Sequence, residues 1–214
     1  MTVNPATPSP HHPMQARTAR MPRSARRKQL LRAAREVFVA QGYHAAAMDD
    51  IAERAGVSKP VLYQHFPGKL DLYLALMETH ADELVQRIRD AMAGTSDNTV
   101  RVHNAVCAYF DFVDAEGEAF RLVFESDLRN EPTVRALVEA MSEKINDAIT
   151  DTIAADTGLT PDRARLLSVG LTGMSEITAR WWLNNERLIP KEDAVHLVES
   201  LAWRGISNFP LLEH

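Results

Sequence analysis

Met48-Asp49-Asp50-Ile51-Ala52-Glu53-Arg54-Ala55-Gly56-Val57-Ser58-Lys59-Pro60-Val61-Leu62-Tyr63-Gln64-His65-Phe66 writes two short helices around a tight turn. Ile51, Ala52 and Ala55 recur at helical spacing, Gly56 supplies the backbone freedom of a sharp turn, and Val57 fills the angle between the helices. Ser58 restarts the chain as an N-cap whose hydroxyl can accept from the amides of the next turn. Pro60 falls within that turn, where its missing N–H breaks no helical bond. Leu62 and Phe66 lie one turn apart and face inward, while Lys59, Pro60, Tyr63 and Gln64 share the outer face. A cation, an amide and a phenol on one exposed helical face suit a nucleic-acid groove. Taken alone, the residues also permit an ordinary helical hairpin inside a bundle.

The pattern continues through Pro67-Gly68-Lys69-Leu70-Asp71-Leu72-Tyr73 and is preceded by Gln41-Gly42-Tyr43. Over about residues 24–75 it closely resembles the DNA-binding domain of the TetR family of one-component regulators. That family's Ile-Ala, then Ala-Gly-Val-Ser, then Leu-Tyr, a variable residue, His-Phe and a closing Lys are matched from Ile51 to Lys69. The resemblance implies an all-α protein, with an N-terminal three-helix helix-turn-helix domain over residues 24–68 and a helical ligand-binding and dimerisation domain over 69–214. It also implies DNA contacts: Tyr63, His65 and Lys69 on phosphates, Lys59 toward guanine, Gln64 toward adenine, and Pro60 against a thymine methyl. Ser58, Ala47 and Met48 complete the expected set at the helix starts. One departure stands out, because Ala46 and Ala47 occupy positions where family members usually carry Thr or Ser. The lost hydroxyl removes ~1 kcal/mol of capping, which Asp49 and Asp50 partly offset at the helix N-terminus. Only the backbone amide of Ala47 remains to meet a phosphate.

Charge is divided along the chain. The net value of -5 conceals a first 70 residues holding 11 Lys or Arg against 4 Asp or Glu, and a remainder holding 13 against 25. A basic front binds the phosphate backbone and an acidic rear is repelled from it, which favours one orientation on DNA. Residues 1–23, with Pro5, Pro8, Pro10, Pro13 and Pro22 and little apolar content, read as a disordered arm. Arg17, Arg20, Arg23, Arg26 and Arg27 place positive charge just before the first helix, within reach of an adjacent minor groove. Cys107 is the single cysteine, which excludes an intramolecular disulfide and fits a reducing cytoplasm. No apolar run has the length of a membrane span, and no secretory signal is evident.

Helical periodicity fills the remainder. Leu30, Leu31, Ala34, Val37 and Phe38 mark a first helix from Ser24 to Gln41, stopped at Gly42. A long helix from Lys69 runs to a break at Gly94-Thr95-Ser96, and further helices are predicted over Asn98–Asp114, Glu116–Ser126, Pro132–Thr157, Pro161 to about Asn185, and Pro190 to about Phe209. The helix from Pro161 is apolar on two faces. One holds Leu166, Val169, Gly173, Ile177 and Trp181, and the other holds Leu167, Leu171, Met174, Thr178 and Trp182; one face can pack on its own subunit while the other meets a partner. With the last helix it resembles the pair through which TetR-type subunits form a four-helix homodimer, which in turn implies a palindromic double-stranded operator.

Phe110, Phe120, Phe124, Met141, Met174 and Trp181 are the candidate lining of a ligand pocket, and their apolar character suggests a small lipophilic effector. The Lys59–Leu70 string and Ala179-Arg180-Trp181-Trp182-Leu183 look similar to regulators of lipid metabolism in the family, some of which sense long-chain acyl-CoA. A regulator of drug efflux with an aromatic or cationic effector is the alternative within the family, whose commonest outcome is repression. An all-helical enzyme is a third reading: Glu192 with His196, and Glu78 with His80, sit close in sequence. No His-Glu-x-x-His spacing, phosphate-binding glycine loop or nucleophile elbow accompanies them. Both pairs therefore read as solvated helix surface, and no catalytic residue, metal site or cofactor is expected.

Overall fold

A computed structural model of the chain describes residues 21–115, 128 and 130–205, and the regular structure within them is entirely helical. The first helix, α1 (Arg23–Ala45), buries Leu30, Leu31, Ala34, Val37 and Phe38 along one stripe. It is interrupted at Gly42, whose φ of 75° is strained for any residue with a Cβ. Helices α2 (Met48–Arg54) and α3 (Lys59–His65) follow, joined through Gly56 at φ 64°. Ile51 and Leu62 are fully buried and Phe66 nearly so, and these three close the small core against α1.

Helix α4 (Lys69–Ala93) belongs to both halves of the molecule. Its Leu72 and Tyr73 sit in the N-terminal core, where the Tyr73 ring meets Phe38 at 5.2 Å and Tyr43 at 5.0 Å between centroids, both edge-on. Further along, Met77, Leu84, Val85 and Ile88 are buried where α4 packs on α5 (Asn98–Ala115) and α6 (Pro132–Thr157), and α7 (Pro161–Asn184) and α8 (Lys191–Arg204) complete the C-terminal bundle against α5 and α6. The α4–α5 turn is held by Arg101, whose Nε donates to the carbonyls of Thr95 at 2.8 Å and Met92 at 3.3 Å. Gly158, at φ 66°, ends α6 in the left-handed region, as its place after Thr157 predicts. The segment expected to be helical over 116–126, and the end of the last helix beyond residue 205, lie outside the described residues. Among the described residues no helix is long and apolar enough to cross a membrane.

The inner face of α7 is neither of the two large-residue faces as a whole. It consists of Ala164, Ser168, Thr172, Ser175 and Ala179, with Trp182 and Leu183 near its end. Leu167 is exposed, and Leu171, Met174 and Thr178 are only half-buried. Small side chains let α6 and α7 approach closely, and Ser168 Oγ donates across the contact to the Asn146 carbonyl at 2.9 Å. Apolar periodicity identifies the large residues of a helix, whereas close helix packing here selects the small ones.

Candidate nucleic-acid interface

Burial of Leu62 and Phe66 fixes the rotation of α3 about its axis, and this turns Lys59, Pro60, Tyr63 and Gln64 to solvent. Ser58 stands at the N-cap of α3 as predicted, but its hydroxyl makes no capping bond; its carbonyl accepts from Val61 N and Leu62 N at 3.0 and 3.3 Å. The hydroxyl is exposed on the same face as Lys59. Lys59 Nζ lies 2.5 Å from Asp49 Oδ2 in the first turn of α2, a hydrogen bond that raises the ammonium above its ordinary range. Ala47 is the N-cap of α2 with extended backbone and no side-chain cap. Met48 is buried, so from these two positions only backbone amides can be offered to a phosphate.

The start of α1 is brought to the other end of α3. Gln29 Nε2 donates to the Ala55 carbonyl at 2.7 Å and its Oε1 accepts from Arg26 Nη1 at 2.8 Å, which docks α1 on the helix-turn-helix corner. Arg27 stacks over the Phe66 ring at 4.5 Å. Desolvation, and then the positive charges of Arg23, Arg27 and Arg26, hold the His65 imidazole below its usual range. Arg23, Arg26, Arg27 and His65 therefore form one electropositive cluster. These three arginines lie in the first turns of α1, not in a leading arm, while Arg17 and Arg20 fall outside the described residues.

Lys69, expected at a phosphate, is engaged within the fold in the DNA-free structure. Its Nζ donates to three backbone carbonyls, Tyr43 at 2.8 Å, Ala46 at 2.9 Å and His44 at 3.1 Å, and lies 4.5 Å from the Tyr43 ring centroid. An ammonium has three protons to give, and all three are engaged at the link between α1 and α2. The lysine caps orphan carbonyls at the end of α1 and ties the first residue of α4 to the N-terminal domain.

In the C-terminal half, Phe110 and Met141 are buried and Met174 is half-buried. Phe120 and Phe124 lie outside the described residues. Trp181 corrects the expected pocket lining, being 54% exposed on the outer face of α7. The neighbouring Trp182 takes the inner place: it packs on Phe110 at 5.5 Å between centroids and donates from Nε1 to the Ile189 carbonyl at 2.7 Å. His80 is likewise not solvated surface but 94% buried, as its 6% exposure states; Nδ1 lies 3.1 Å from Glu83 Oε2, and Nε2 has no hydrogen-bond partner. Thr172 Oγ1 is also buried without one. Sequence periodicity gave no sign of either group, although a histidine on the long apolar stripe of α4 was the available hint. His196 is exposed, as expected, and pairs with Glu199 at 2.9 Å.

The outer face of α7 presents Leu166, Val169, Ile177 and Trp181 to solvent, and α8 adds Leu197, Leu201 and Trp203. So much exposed apolar surface on two helices is characteristic of an interaction site.

Two family models match the chain: "Bacterial regulatory proteins, tetR family" over residues 30–76, and "Tetracyclin repressor-like, C-terminal domain" over residues 98–205. The HTH-type transcriptional activator FasR of Mycolicibacterium smegmatis is 52% identical over 192 residues, covering 90% of this chain and 88% of that protein. A TetR-like transcriptional regulator from Rhodococcus sp. RHA1 superposes with a TM-score of 0.68 at 26% identity, over 89% of this chain and all of that one. The transcriptional regulator FadR of Bacillus subtilis, solved in complex with stearoyl-CoA, has the same fold at 19% identity with a TM-score of 0.68, over 84% of this chain and 98% of that one.

Proposed function

Because the chain belongs to the tetR family of bacterial regulatory proteins, and is a DNA-binding transcriptional regulator and not an enzyme, we propose that it works in the cytoplasm as a homodimer on a roughly palindromic operator. A small lipophilic effector of the long-chain acyl-CoA class alters its hold on that DNA. The observation that carries the DNA half of this reading is the face of α3, where Lys59, Pro60, Tyr63 and Gln64 are exposed over a fully packed Leu62. Tyr63, Ser58 and the backbone amides of Ala47 and Met48 position the domain on phosphates, and Arg23, Arg26, Arg27 and His65 extend the contact along the backbone. Lys59 and Gln64 read base edges. Dimerisation is supported by the outer face of α7 with α8, and two symmetry-related α3 helices then meet successive major grooves.

The effector half rests on the C-terminal interior. Phe110, Met141 and Met174 make it apolar, and His80 Nε2 and Thr172 Oγ1 are buried polar atoms without partners. An unanswered buried polar group costs about 1–3 kcal/mol, which a ligand's polar group can recover. That the same fold in FadR of Bacillus subtilis holds stearoyl-CoA supports the class of ligand. The effector need supply only ~2.7 kcal/mol of coupling to change DNA affinity a hundredfold. The name of the Mycolicibacterium relative, an activator, supports activation over the family's commoner repression. Selection of bound duplexes from a random pool, followed by titration of acyl-CoAs of graded chain length into the complex, tests both halves. No preferred duplex removes the first, and indifference to every chain length removes the second.

A further inference from the structure

His80 lies on the buried stripe of α4, one turn beyond Met77 and one turn before Leu84. α6 runs alongside this stretch: Lys144 Nζ donates to Asp82 Oδ1 at 3.0 Å, and Met141 and Ile145, near that lysine on α6, are buried. The two ring nitrogens of His80 are not equivalent. Nδ1 stands 3.1 Å from Glu83 Oε2, a carboxylate that only accepts, so the ring proton is held on Nδ1. In the neutral ring this leaves Nε2 as a bare lone pair, buried with no protein group donating to it. Such an acceptor weakens the fold, whereas an apolar side chain of similar volume would not. The Glu83 side chain is 47% exposed and is solvated with or without the histidine, so their exposed pairing contributes little.

We infer that His80 is a specificity-determining residue of the effector site, whose Nε2 accepts a hydrogen bond from an N–H group of the ligand. The inference rests on the acyl-CoA reading above and selects among the chemical forms of a long acyl chain. A fatty-acid carboxylate carries acceptors alone and would set its own lone pairs against that of Nε2. The thioester group is acceptor-only as well. Beyond the thioester, the pantetheine arm of an acyl-CoA carries amide N–H groups, and these are donors of the kind Nε2 lacks. Met77 and Met141 have unbranched, flexible side chains that can move aside for an acyl chain. Because Nε2 has no donor in the free protein, the new bond breaks none on the protein side; only the ligand's N–H gives up water. The bond is therefore worth about a five- to tenfold factor in affinity.

The test uses the full-length protein at about pH 8, where an imidazole is ordinarily neutral. Hexadecanoyl-CoA is titrated first, and its failure to bind defeats the acyl-CoA reading itself. Two smaller probes follow: S-hexadecanoyl-N-acetylcysteamine, which carries the thioester and a single amide N–H, and its acetate-ester counterpart, in which an oxygen replaces that N–H. Equilibrium dialysis should show the amide probe bound about five- to tenfold more tightly than the ester. His80→Leu, which nearly conserves volume, should bring that ratio to about one. It should also raise the Tm of the ligand-free protein by about 2–4 °C, because an unanswered buried group has been removed. Equal binding of the two probes by the unsubstituted protein overturns the inference before any variant is made. So does binding of hexadecanoyl-CoA with neither probe held, and so does a preference for the amide that survives His80→Leu. A fall in Tm in both His80→Leu and His80→Met would assign the ring to packing and overturn it as well.

Discussion

Replacing Lys69 by Met retains a long stem and removes the ammonium that holds the carbonyls of Tyr43, His44 and Ala46. Hydrogen bonds to a charged group contribute about 1.5–3 kcal/mol each where water is absent. Here the lysine is only half-buried and the His44 contact is exposed. Water takes over part of the capping, and the net loss is about 1–3 kcal/mol for all three. For a chain of this size that lowers Tm by about 3–9 °C. The same variant separates two roles for the residue. With its protons engaged inside the fold, Lys69 neutralises no phosphate, and the slope of log affinity against log salt should stay as it is. A phosphate contact would instead flatten it by about 0.9. Thermal unfolding followed by circular dichroism, and DNA titrations at four or more salt concentrations, measure the two quantities on one preparation. An unmoved Tm together with a flattened slope would refute the capping role and restore the phosphate contact.

Four further outcomes are expected. Ala47→Thr places a hydroxyl at the N-cap of α2, where the backbone is already extended; it should stabilise the fold by ~1 kcal/mol and tighten DNA binding, both readable in the same assays. Gln64→Ala should relax base choice at one operator position by about 1–3 kcal/mol without changing the salt slope, as a repeated duplex selection would reveal. Trp181→Asp, on the outer face of α7 where the side chain is more than half exposed, should shift sedimentation from dimer to monomer while leaving helicity intact, since burial of one large apolar side chain contributes about 1.5–3 kcal/mol. His65 has a pKa below its ordinary value of 6.5, so the folded chain binds fewer protons there than the unfolded one. Its stabilising contribution is complete above pH 6.5 and falls away as pH drops through the depressed value. His65→Asn should therefore flatten the pH dependence of the urea midpoint in that window, and a profile identical to that of the unsubstituted protein would contradict the assignment.

Much of this molecule is set by local rules that a linear sequence carries. Gly42 interrupts α1 and Gly158 ends α6 at the predicted places, because the positive φ they adopt is penalised in other residues, and Gly56 in the Ala-Gly-Val-Ser corner sets the geometry of α2 and α3 for the same reason. The outward set Lys59, Pro60, Tyr63 and Gln64 was legible because Leu62 and Phe66, one turn apart, can face only one way. Tertiary packing decided the rest. Lys69 has a flexible stem that reaches carbonyls 23 to 26 residues away, and nothing in its neighbours along the chain distinguishes those acceptors from a phosphate. Trp181 and Trp182 are adjacent and equally apolar, yet one is solvent-facing and the other packs on Phe110, since the inward side of α7 was chosen by the small residues that admit α6. His80 is buried on α4, which packs against neighbouring helices, and nothing in its own turn announces that burial. Periodicity states how many faces of a helix are apolar; only the shape of the neighbouring helices settles which of them is covered.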